Sequence, residues 1–290
     1  MKKILITGAG SFVGTAVQRH LEKWPEQYNV KAVGTKDGEW KEMRFSSFDT
    51  VYHVAGLAHS DVGNVTDEVK AKYYAVNTDL AIDVAKKAKA EGVRQFIFMS
   101  SAIVYGDSAP IGVEKIITKE TDYNPANFYG DSKVQAEKGL IPLSDNAFKV
   151  VILRCPMIYG KGSKGNFPTL EKMAMKMPLF PKISNSRSML YVGNLAEFVR
   201  LMIENEEEGV FWPCNREWSN TSELIRMIAA CHGKKVVLVP SIGWVLKIMS
   251  HITGYVNKAF GNLAYEEHLG DYKEEYRRFT LEQSIKETER

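Results

Sequence analysis

The sequence predicts an α/β fold, in which a doubly wound parallel sheet carries a smaller, interwoven second domain. Short apolar runs alternate with helical patterns through the first 160 residues, an order typical of strands and crossover helices in a parallel sheet. A glycine-rich segment separates the first apolar run from the first helical pattern. Beyond residue 160 the chain becomes rich in loop-forming residues, but no flexible linker follows. The second domain is therefore expected to be interwoven with the first.

Each element of the first half follows from its own stretch of sequence. Apolar runs predict strands at 3–7, 28–33, 50–54, 95–100 and 150–154. Apolar residues at helical spacing predict the intervening helices, at 12–23, 73–90 and 127–140. The span from Asp37 to Thr50 is short, so one strand of the usual sheet is expected to be reduced or absent.

The second half of the sequence is less regular. Glycine, lysine, serine, asparagine and proline are frequent at 160–187, which predicts a loop-rich, substrate-facing region. A helical pattern resumes at 191–204. Capping-box signals at Asn220 and Thr280 predict the starts of two more helices, with a strand expected at 235–239.

These patterns predict the domain boundaries. We assign an NAD(P)-binding domain to 1–160, with a return of the chain to it around 188–205, and a mainly substrate-binding domain to 161–290. The methionine-rich run at 173–177 is interpreted as adaptable packing rather than a cofactor site.

Composition excludes some classes of function. The chain has 290 residues with 38 Lys and Arg against 35 Asp and Glu, a net charge of +3. Binding to a phosphate backbone requires a dense excess of positive charge, which this sequence lacks, so no nucleic-acid partner is expected. The three cysteines, Cys155, Cys214 and Cys231, lack metal-ligand spacing and are interpreted as reduced thiols of a cytoplasmic protein.

No stretch predicts a membrane span or a secretory signal. The apolar run at 4–6 is too short for a signal sequence. The apolar stretch at 242–260 is interrupted by Lys247, His251 and Lys258, which predicts a packed or interfacial amphipathic helix pair. Association with a membrane surface is the less favoured interpretation of that stretch.

A glycine-rich segment lies between the first strand and the first helix, where a dinucleotide pyrophosphate meets backbone N–H groups. Gly8 would permit the tight turn, and Gly10 and Ser11 would let the phosphates approach. Gly14 would let the helix pack on the sheet. The cofactor-binding candidates in this segment are Gly8, Gly10, Ser11, Phe12, Val13 and Gly14.

Tyr129 and Lys133 lie four residues apart, and so on one face of the helix predicted at 127–140. About one such pair is expected by chance, so the spacing alone proves little. Ser100 and Ser101 add support because they end the fourth predicted strand, and ligands bind at that edge of an open α/β sheet.

With these motifs the chain resembles the extended short-chain dehydrogenase/reductase family. Within it, the chain is similar to the NAD-dependent nucleotide-sugar epimerases, ketoreductases and dehydratases typified by UDP-galactose 4-epimerase. The resemblance implies a Rossmann-type sheet and a nicotinamide cofactor, either NAD or NADP. It also implies Ser101, Tyr129 and Lys133 as the catalytic residues.

Further positions of the first 160 residues match the family. Val54, Ala55 and Gly56 resemble the family loop that lies along the cofactor, and Asn77 matches an asparagine that opens the following helix. The segment 153–160 is similar to one that closes over nicotinamide and sugar. The resemblance therefore adds cofactor-binding candidates, which are Val54, Ala55, Gly56, Asn77, Ser100, Tyr129, Lys133, Cys155 and Pro156.

Physical chemistry supports the catalytic assignments. A free tyrosine has a pKa near 10, so Tyr129 can remove an alcohol proton at neutral pH only if a cation stabilises its phenolate. Lys133 can supply that charge and would also hydrogen-bond the nicotinamide ribose. Ser101 would position the reacting oxygen of the substrate. Ser100 is expected to be a cofactor-side or structural hydroxyl.

Two departures from the family pattern narrow the function. Dehydratases of the family typically place acidic residues directly after the catalytic Ser or Thr, where this chain has Ala102 and Ile103. Dehydration is therefore disfavoured. At the end of the second strand, Thr35 and Lys36 occupy the region where a carboxylate would select NAD. Because NADP-preferring members often place a cation there, and Asp37 follows, the cofactor preference stays open.

The substrate side is predicted less specifically. Lys161, Lys164, Asn166 and Arg187 resemble the family region that holds the nucleotide diphosphate, with a solvated basic loop as the alternative. The substrate-binding candidates are Ser101, Met157, Lys164, Asn166 and Arg187.

The leading hypothesis is an epimerase acting at C4 of a UDP-hexose or UDP-N-acetylhexosamine by transient hydride transfer. The alternatives are a 4-ketoreductase of a UDP-4-keto-6-deoxy sugar and, from another class, a non-catalytic dinucleotide-binding sensor. We expect a homodimer, as in related enzymes, with helices 73–90 and 127–140 at its interface. No metal ion is expected, because His53 and His59 lack a ligand cluster.

Overall fold

A computed structural model describes residues 1–58, 66–240, 257 and 260–290. The strands of these residues, numbered in chain order, are β1 (Lys2–Thr7), β2 (Tyr28–Val33), β3 (Thr50–His53), β4 (Gln95–Ser101), β5 (Ile116–Ile117), β6 (Lys149–Cys155), β7 (Met157–Tyr159), β8 (Leu179–Pro181), β9 (Met189–Tyr191), β10 (Gly209–Phe211), β11 (Val237–Val239) and β12 (Ala264–Tyr265).

The helices of the described residues are numbered in the same way. They are α1 (Phe12–Leu21), α2 (Glu39–Glu42), α3 (Asp67–Tyr74), α4 (Leu80–Ala90), α5 (Phe128–Leu140), α6 (Phe167–Lys176), α7 (Val192–Glu204), α8 (Thr221–Cys231) and α9 (Leu281–Glu289).

The chain divides into two compact units, each built from several segments. Unit 1 comprises Met1–Gly106, Tyr123–Cys155 and Leu195–Pro213. Unit 2 comprises Asp107–Asp122, Pro156–Asn194 and Cys214–Arg290. Relative to the boundary predicted at residue 160, the second segment of unit 1 ends at Cys155, and residues 107–122 belong to unit 2. Those residues contain β5, whose backbone pairs with β12 near the other end of the chain.

Unit 1 is organised around a six-stranded sheet in the order β10-β6-β4-β3-β1-β2. All five neighbouring pairs are parallel, so the predicted doubly wound fold is confirmed. Among the described residues the sheet ends at β2, and the connection from β2 to β3 contains only the four-residue helix α2. The expected reduction of the sheet occurs at this edge.

Apolar side chains from both the sheet and its helices form the core of unit 1. Val84 and Ala88 of α4 pack with Phe96 and Phe98 of β4, and Leu140 at the end of α5 joins them. All five side chains are fully buried. This packing fixes the ends of the strands, and with them the edge that carries the candidate site.

Unit 2 combines three two-stranded sheets, β11-β8, β12-β5 and β7-β9, with helices. Its core joins α6, α8 and α9 through residues such as Leu170, Ile228 and Ile285. The prediction of a loop-rich 160–187 is wrong in its centre, where α6 spans Phe167–Lys176. Pro168, which argued for a loop, is tolerated because the first helical turn needs no backbone donor.

Candidate active site

The glycine-rich turn after β1 is built for close approach of backbone. Gly8 has φ +113° and Gly10 has φ +74°, a region that other residues rarely adopt. A Cβ on Gly8 would lie 2.7 Å from the backbone nitrogen of Ala55, so only glycine fits. A Cβ on Gly10 would meet no atom within 4 Å, which leaves open space above the turn.

Helix α1 starts at this turn with a side-chain cap. The Ser11 hydroxyl accepts a hydrogen bond from the backbone N–H of Gly14 at 3.2 Å, and Phe12 and Val13 form the first helical positions. A Cβ on Gly14 would lie 2.9 Å from a methyl group of Val54, so glycine lets α1 pack on the sheet. The helix N-terminus with its free N–H groups fits a pyrophosphate.

The loop after β3 is fixed by Asn77. Its side-chain oxygen accepts from the N–H of Leu57 at 2.7 Å, and its side-chain nitrogen donates to the carbonyl of Leu57 and to the hydroxyl of Ser132. Asn77 is fully buried in a π-helical turn, residues 75–79, that joins α3 to α4. Such turns aim side chains away from regular helical positions. Here the turn directs Asn77 at the loop predicted to lie along the cofactor.

Ser101 and Tyr129 are brought together by β4 and α5. Burial raises the pKa of Tyr129 to about 12, and the neighbouring Ser101 hydroxyl partly opposes that rise. The ring of Tyr73 lies edge-on to the Tyr129 ring with centroids 6.0 Å apart. Tyr129 therefore stays protonated at neutral pH unless a positive charge stabilises its phenolate.

Lys133, one turn after Tyr129 on α5, is buried at the same edge of the sheet. Its ammonium donates to the carbonyl oxygen of Met99 at 2.8 Å and lies 4.6 Å above the ring of Phe98. A Cβ on Gly56 would be 3.5 Å from this ammonium, so the lysine adjoins the predicted cofactor loop. Burial lowers the pKa of Lys133 to about 8, and the Glu137 carboxylate opposes that shift.

A buried ion pair lies one helical turn further along α5, and the sequence analysis missed it. Glu137 is fully buried and pairs with Arg154 of β6, at 2.7 Å between Oε2 and Nη2. The carboxylate also accepts from Ser100 and Tyr123, and Arg154 donates to Tyr105. The spacing from Tyr129 to Lys133 to Glu137 is four residues each time, a pattern that could have placed Glu137 on the same helix face but not its pairing with Arg154.

The remaining predicted cofactor residues are placed as follows. Cys155 ends β6, is buried, and acts electrostatically on both Tyr129 and Lys133. Thr35 and the exposed Lys36 follow β2, at the same carboxyl edge because all strands are parallel. Pro156 belongs to unit 2.

His53 is packed rather than exposed to a ligand. Its Nδ1 hydrogen-bonds the Thr7 hydroxyl at 2.8 Å, and its ring stacks on Phe96 and Phe98. Burial, and then the charge of Lys133, lower the pKa of His53 to about 3, so the ring is neutral. His59 lies outside the described residues.

Unit 2 brings three of the predicted substrate residues together. Met157, Asn166 and Arg187 line one small pocket with Ser219 and Thr221, while Lys164 is not part of its lining. Burial lowers the pKa of Arg187 to about 10. Its Nη1 donates to the carbonyls of Asn257 and Gly261, and among the described residues no carboxylate pairs with it.

The comparison with protein families decides what kind of chain this is. The sequence profile of the NAD dependent epimerase/dehydratase family matches residues 4–211. The chain belongs to this family. The resemblance inferred from the motifs is thereby confirmed, and the family member is an enzyme of the nicotinamide-dependent epimerase or reductase type.

Two relatives of the family member are similar over most of their length. A UDP-glucose 4-epimerase of Vibrio cholerae is 31% identical over 279 residues, which cover 87% of this chain and 83% of the relative. An N-acetyl-alpha-D-glucosaminyl-diphospho-ditrans,octacis-undecaprenol 4-epimerase of Escherichia coli O157:H7 is 28% identical, over 87% of this chain and 81% of that protein.

Solved structures share the fold of the family member. A UDP-glucuronic acid 4-epimerase from Bacillus cereus in complex with NAD has a TM-score of 0.71 at 17% identity, covering 98% of this chain and 96% of its own. A dTDP-4-dehydrorhamnose reductase from Clostridium acetobutylicum has a TM-score of 0.74 at 17% identity, covering 99% and 98%. Epimerases and reductases thus share this architecture.

Proposed function

We propose that this protein is a 4-epimerase of a nucleotide-linked hexose or N-acetylhexosamine, with UDP as the expected nucleotide. The observation that carries the proposal is the placement of Tyr129 and the buried Lys133 one turn apart on α5, with Ser101 at the end of β4, at the sheet edge that also holds the glycine-rich turn. The similarity to the Vibrio cholerae epimerase supports the same reaction.

The residues at this edge fit a nicotinamide dinucleotide. Gly8, Gly10 and Ser11 would hold its pyrophosphate at the start of α1, where the turn leaves space for it. Gly56 and Asn77 would support the loop along the cofactor, and Lys133, Ser100 and Cys155 would lie around its nicotinamide half. When bound, the nicotinamide accepts a hydride from C4 of the sugar and returns it.

Side chains of this protein would transfer the proton of the C4 hydroxyl. Tyr129 takes the proton of the C4 hydroxyl and gives it back after the sugar has presented its other face. Ser101 hydrogen-bonds the reacting oxygen and so holds it beside Tyr129. Burial raises the pKa of Tyr129, so its phenolate would need a nearby cation, and Lys133 would supply that positive charge.

Elimination of water is not supported. The two residues after Ser101, Ala102 and Ile103, carry no proton-transfer group. A dehydratase of this family needs an acid and a base there. Since Ser101, Tyr129 and Lys133 are all present, a catalytic role is favoured over a non-catalytic dinucleotide sensor.

We infer that Arg187 of unit 2 receives the diphosphate of the substrate. Burial lowers the pKa of Arg187, and no carboxylate pairs with its guanidinium in the described chain. A bound anion would therefore stabilise the positive charge of this side chain. Met157 and Asn166 would complete this pocket, and Lys164 would contribute charge from the exposed segment before α6.

A 4-ketoreductase of a UDP-4-keto-6-deoxy sugar is the second candidate, and Lys36 is the observation that favours it. This exposed ammonium follows β2, where it could pair with the 2′-phosphate of NADP. A reductase exchanges its cofactor at every cycle, whereas an epimerase must keep it through the turnover.

One experiment separates the two candidates. The purified protein is incubated with UDP-glucose and UDP-N-acetylglucosamine without added cofactor, and the products are resolved by chromatography. Epimer formation, with NAD found by mass spectrometry of the fresh protein, is the expected result. No epimer, together with NADPH oxidation on a UDP-4-keto-6-deoxy sugar, would assign the reductase.

We also propose a cytoplasmic homodimer with α4 and α5 at its interface. The family resemblance motivates this assembly; Ala81, Ala85 and Ala136 of these helices are fully buried in the core of the single chain, so the contact would use other side chains of α4 and α5. Light scattering at micromolar concentration should give twice the 32.7 kDa mass of the chain. A monomer would reject the proposal.

A further inference from the structure

An apolar patch lies on the β8 and β11 sheet of unit 2. Leu179 and Val237 are paired in the parallel register of the two strands and are 55% and 50% exposed. Met177, two residues before Leu179, is 38% exposed. Neighbouring exposed apolar side chains are unusual on a free surface, because single ones are the norm.

Four exposed lysines adjoin this patch. Lys176 ends α6 beside Met177, and Lys182 directly follows β8. Lys234 donates to the carbonyl of Met175 at 2.8 Å, which places it at the end of α6, and Lys235 lies two residues before Val237. We call these four lysines with Met177, Leu179 and Val237 the basic apolar patch.

The charges of this patch are all of one sign. No Asp or Glu occurs between Glu171 and Glu197, or between Glu223 and Glu266, the two stretches that build the patch. Among the described residues none of its four lysines forms an ion pair. Elsewhere lysines do pair on the surface, as Lys286 does with Glu282 at 2.7 Å. Glu289 of α9 pairs with His232, two residues before Lys234, at 2.7 Å, so the excess of positive charge is a property of the four lysines rather than of the whole face.

We propose that the basic apolar patch docks the protein on the surface of a bilayer containing anionic lipid. The apolar side chains would enter the headgroup boundary, and the lysines would lie among the anionic headgroups. No described helix is long and apolar enough to cross a bilayer, so the contact is with its surface.

The arrangement of the cations favours a bilayer over an acidic protein. The four lysines come from three separate connections and lie close in sequence to the exposed apolar side chains. Such groups adapt to a fluid array of anionic headgroups, whereas a protein partner would need fixed acceptors that match them. This inference concerns location and does not depend on the reaction proposed above.

Flotation of the full chain with vesicles tests the proposal. Vesicles of phosphatidylcholine are compared with vesicles of equal parts phosphatidylcholine and phosphatidylglycerol, at low and high salt. Binding to the anionic vesicles only, weakened by salt, is expected. Failure to bind anionic vesicles at low salt, or equal binding to both vesicle types, overturns the proposal.

Matched variants locate the contact. Leu179→Ser with Val237→Ser, and separately Lys176→Glu with Lys235→Glu, should each weaken vesicle binding about tenfold or more. The apolar control, Val113→Ser with Ile141→Ser, changes side chains that are 45% and 43% exposed elsewhere. The charge control is Lys23→Glu with Lys119→Glu, at two exposed lysines outside the patch.

The controls should bind like the unaltered protein, and turnover of a soluble nucleotide sugar should be the same for all variants. Equal binding by patch and control variants overturns the proposal. A smaller sedimentation coefficient of the Leu179→Ser, Val237→Ser protein without vesicles also overturns it, because the patch would then join two copies of this chain.

Discussion

Glu137 lies one turn of α5 beyond Lys133, and its carboxylate supports the charge of the ammonium that burial weakens. The same carboxylate holds Arg154 through contacts of both its oxygens. The buried carboxylate of Glu137 thus stabilises two cations, Lys133 on its own helix and Arg154 near the end of β6.

Glu137→Gln should be strongly destabilising, because Arg154 would remain as a buried cation with no anion. Loss of one partner of such a pair costs about 3–5 kcal/mol. The free energy of unfolding in urea measures the effect. Adding Arg154→Met to Glu137→Gln should restore part of the loss, and a double variant less stable than the single one would contradict this account.

Tyr129→Phe should abolish turnover and leave cofactor binding nearly intact, since the ring still packs against Tyr73 while the acid/base oxygen is gone. Isothermal titration with NAD and a turnover assay measure the two effects. Tyr74→Phe is the matched control, as its hydroxyl donates to Asp131 at 2.7 Å instead. If the Tyr129→Phe variant keeps more than about 5% of the activity, the assignment of Tyr129 as the acid/base residue is wrong.

The buried charge of Lys133 should make stability depend on pH. Its pKa is lowered from 10.5 to about 8 in the folded protein, so between these values the unfolded chain binds more protons. The free energy of unfolding of the cofactor-free protein should therefore increase as the pH rises from about 8 to 10.5. Below pH 8 this group should cause no such increase.

Lys133→Met removes this gain. At each pH, the unfolding free energy of the variant is subtracted from that of the unaltered protein. This difference should be about 2–3 kcal/mol larger at pH 10 than at pH 7. Urea unfolding at both pH values tests it. Lys138→Met changes an exposed lysine of the same helix and should show no such change with pH. If the difference between the unaltered protein and Lys133→Met is the same at both pH values, the prediction is wrong.

Gly8→Ala should destabilise the protein more than Gly92→Ala. Both glycines have positive φ, +113° and +80°, but only the Cβ at residue 8 would meet backbone, that of Ala55. At residue 92 only the cost of the conformation, about 1 kcal/mol, remains. Thermal unfolding compares the two variants. Equal losses would show that the close approach of the Ala55 backbone is unimportant.

Much of unit 1 was predictable because its local and tertiary preferences agree. The predicted strand at 28–33 matches β2 residue for residue, and its exposed Asn29 and Lys31 alternate with more buried apolar side chains. Such alternation is typical of a half-buried strand. In unit 2, the capping box at Thr280 and Gln283 forms as expected. The wrongly predicted loop at α6 shows the opposite case, where tertiary burial of Phe167 and Leu170 overrode local loop signals.

Pair interactions between distant segments were not predictable. Arg154 was placed on a strand, and Glu137 within a helix, but no local pattern indicates that two charges 17 residues apart meet inside the protein. The hydrogen bond from Ser100 to Glu137 was missed for the same reason. Such contacts follow from strand order and helix packing, which are properties of the whole chain.

The composition of unit 1 from three separate segments has a consequence for synthesis. Strand β10 borders β6 and is supplied by the last segment, Leu195–Pro213. The β6 edge therefore stays open while the ribosome adds more than 50 residues after Cys155, most of which belong to unit 2. Unpaired edges attract foreign strands. A nascent chain stalled before residue 209 should consequently be bound by chaperones far more than one stalled well beyond residue 213.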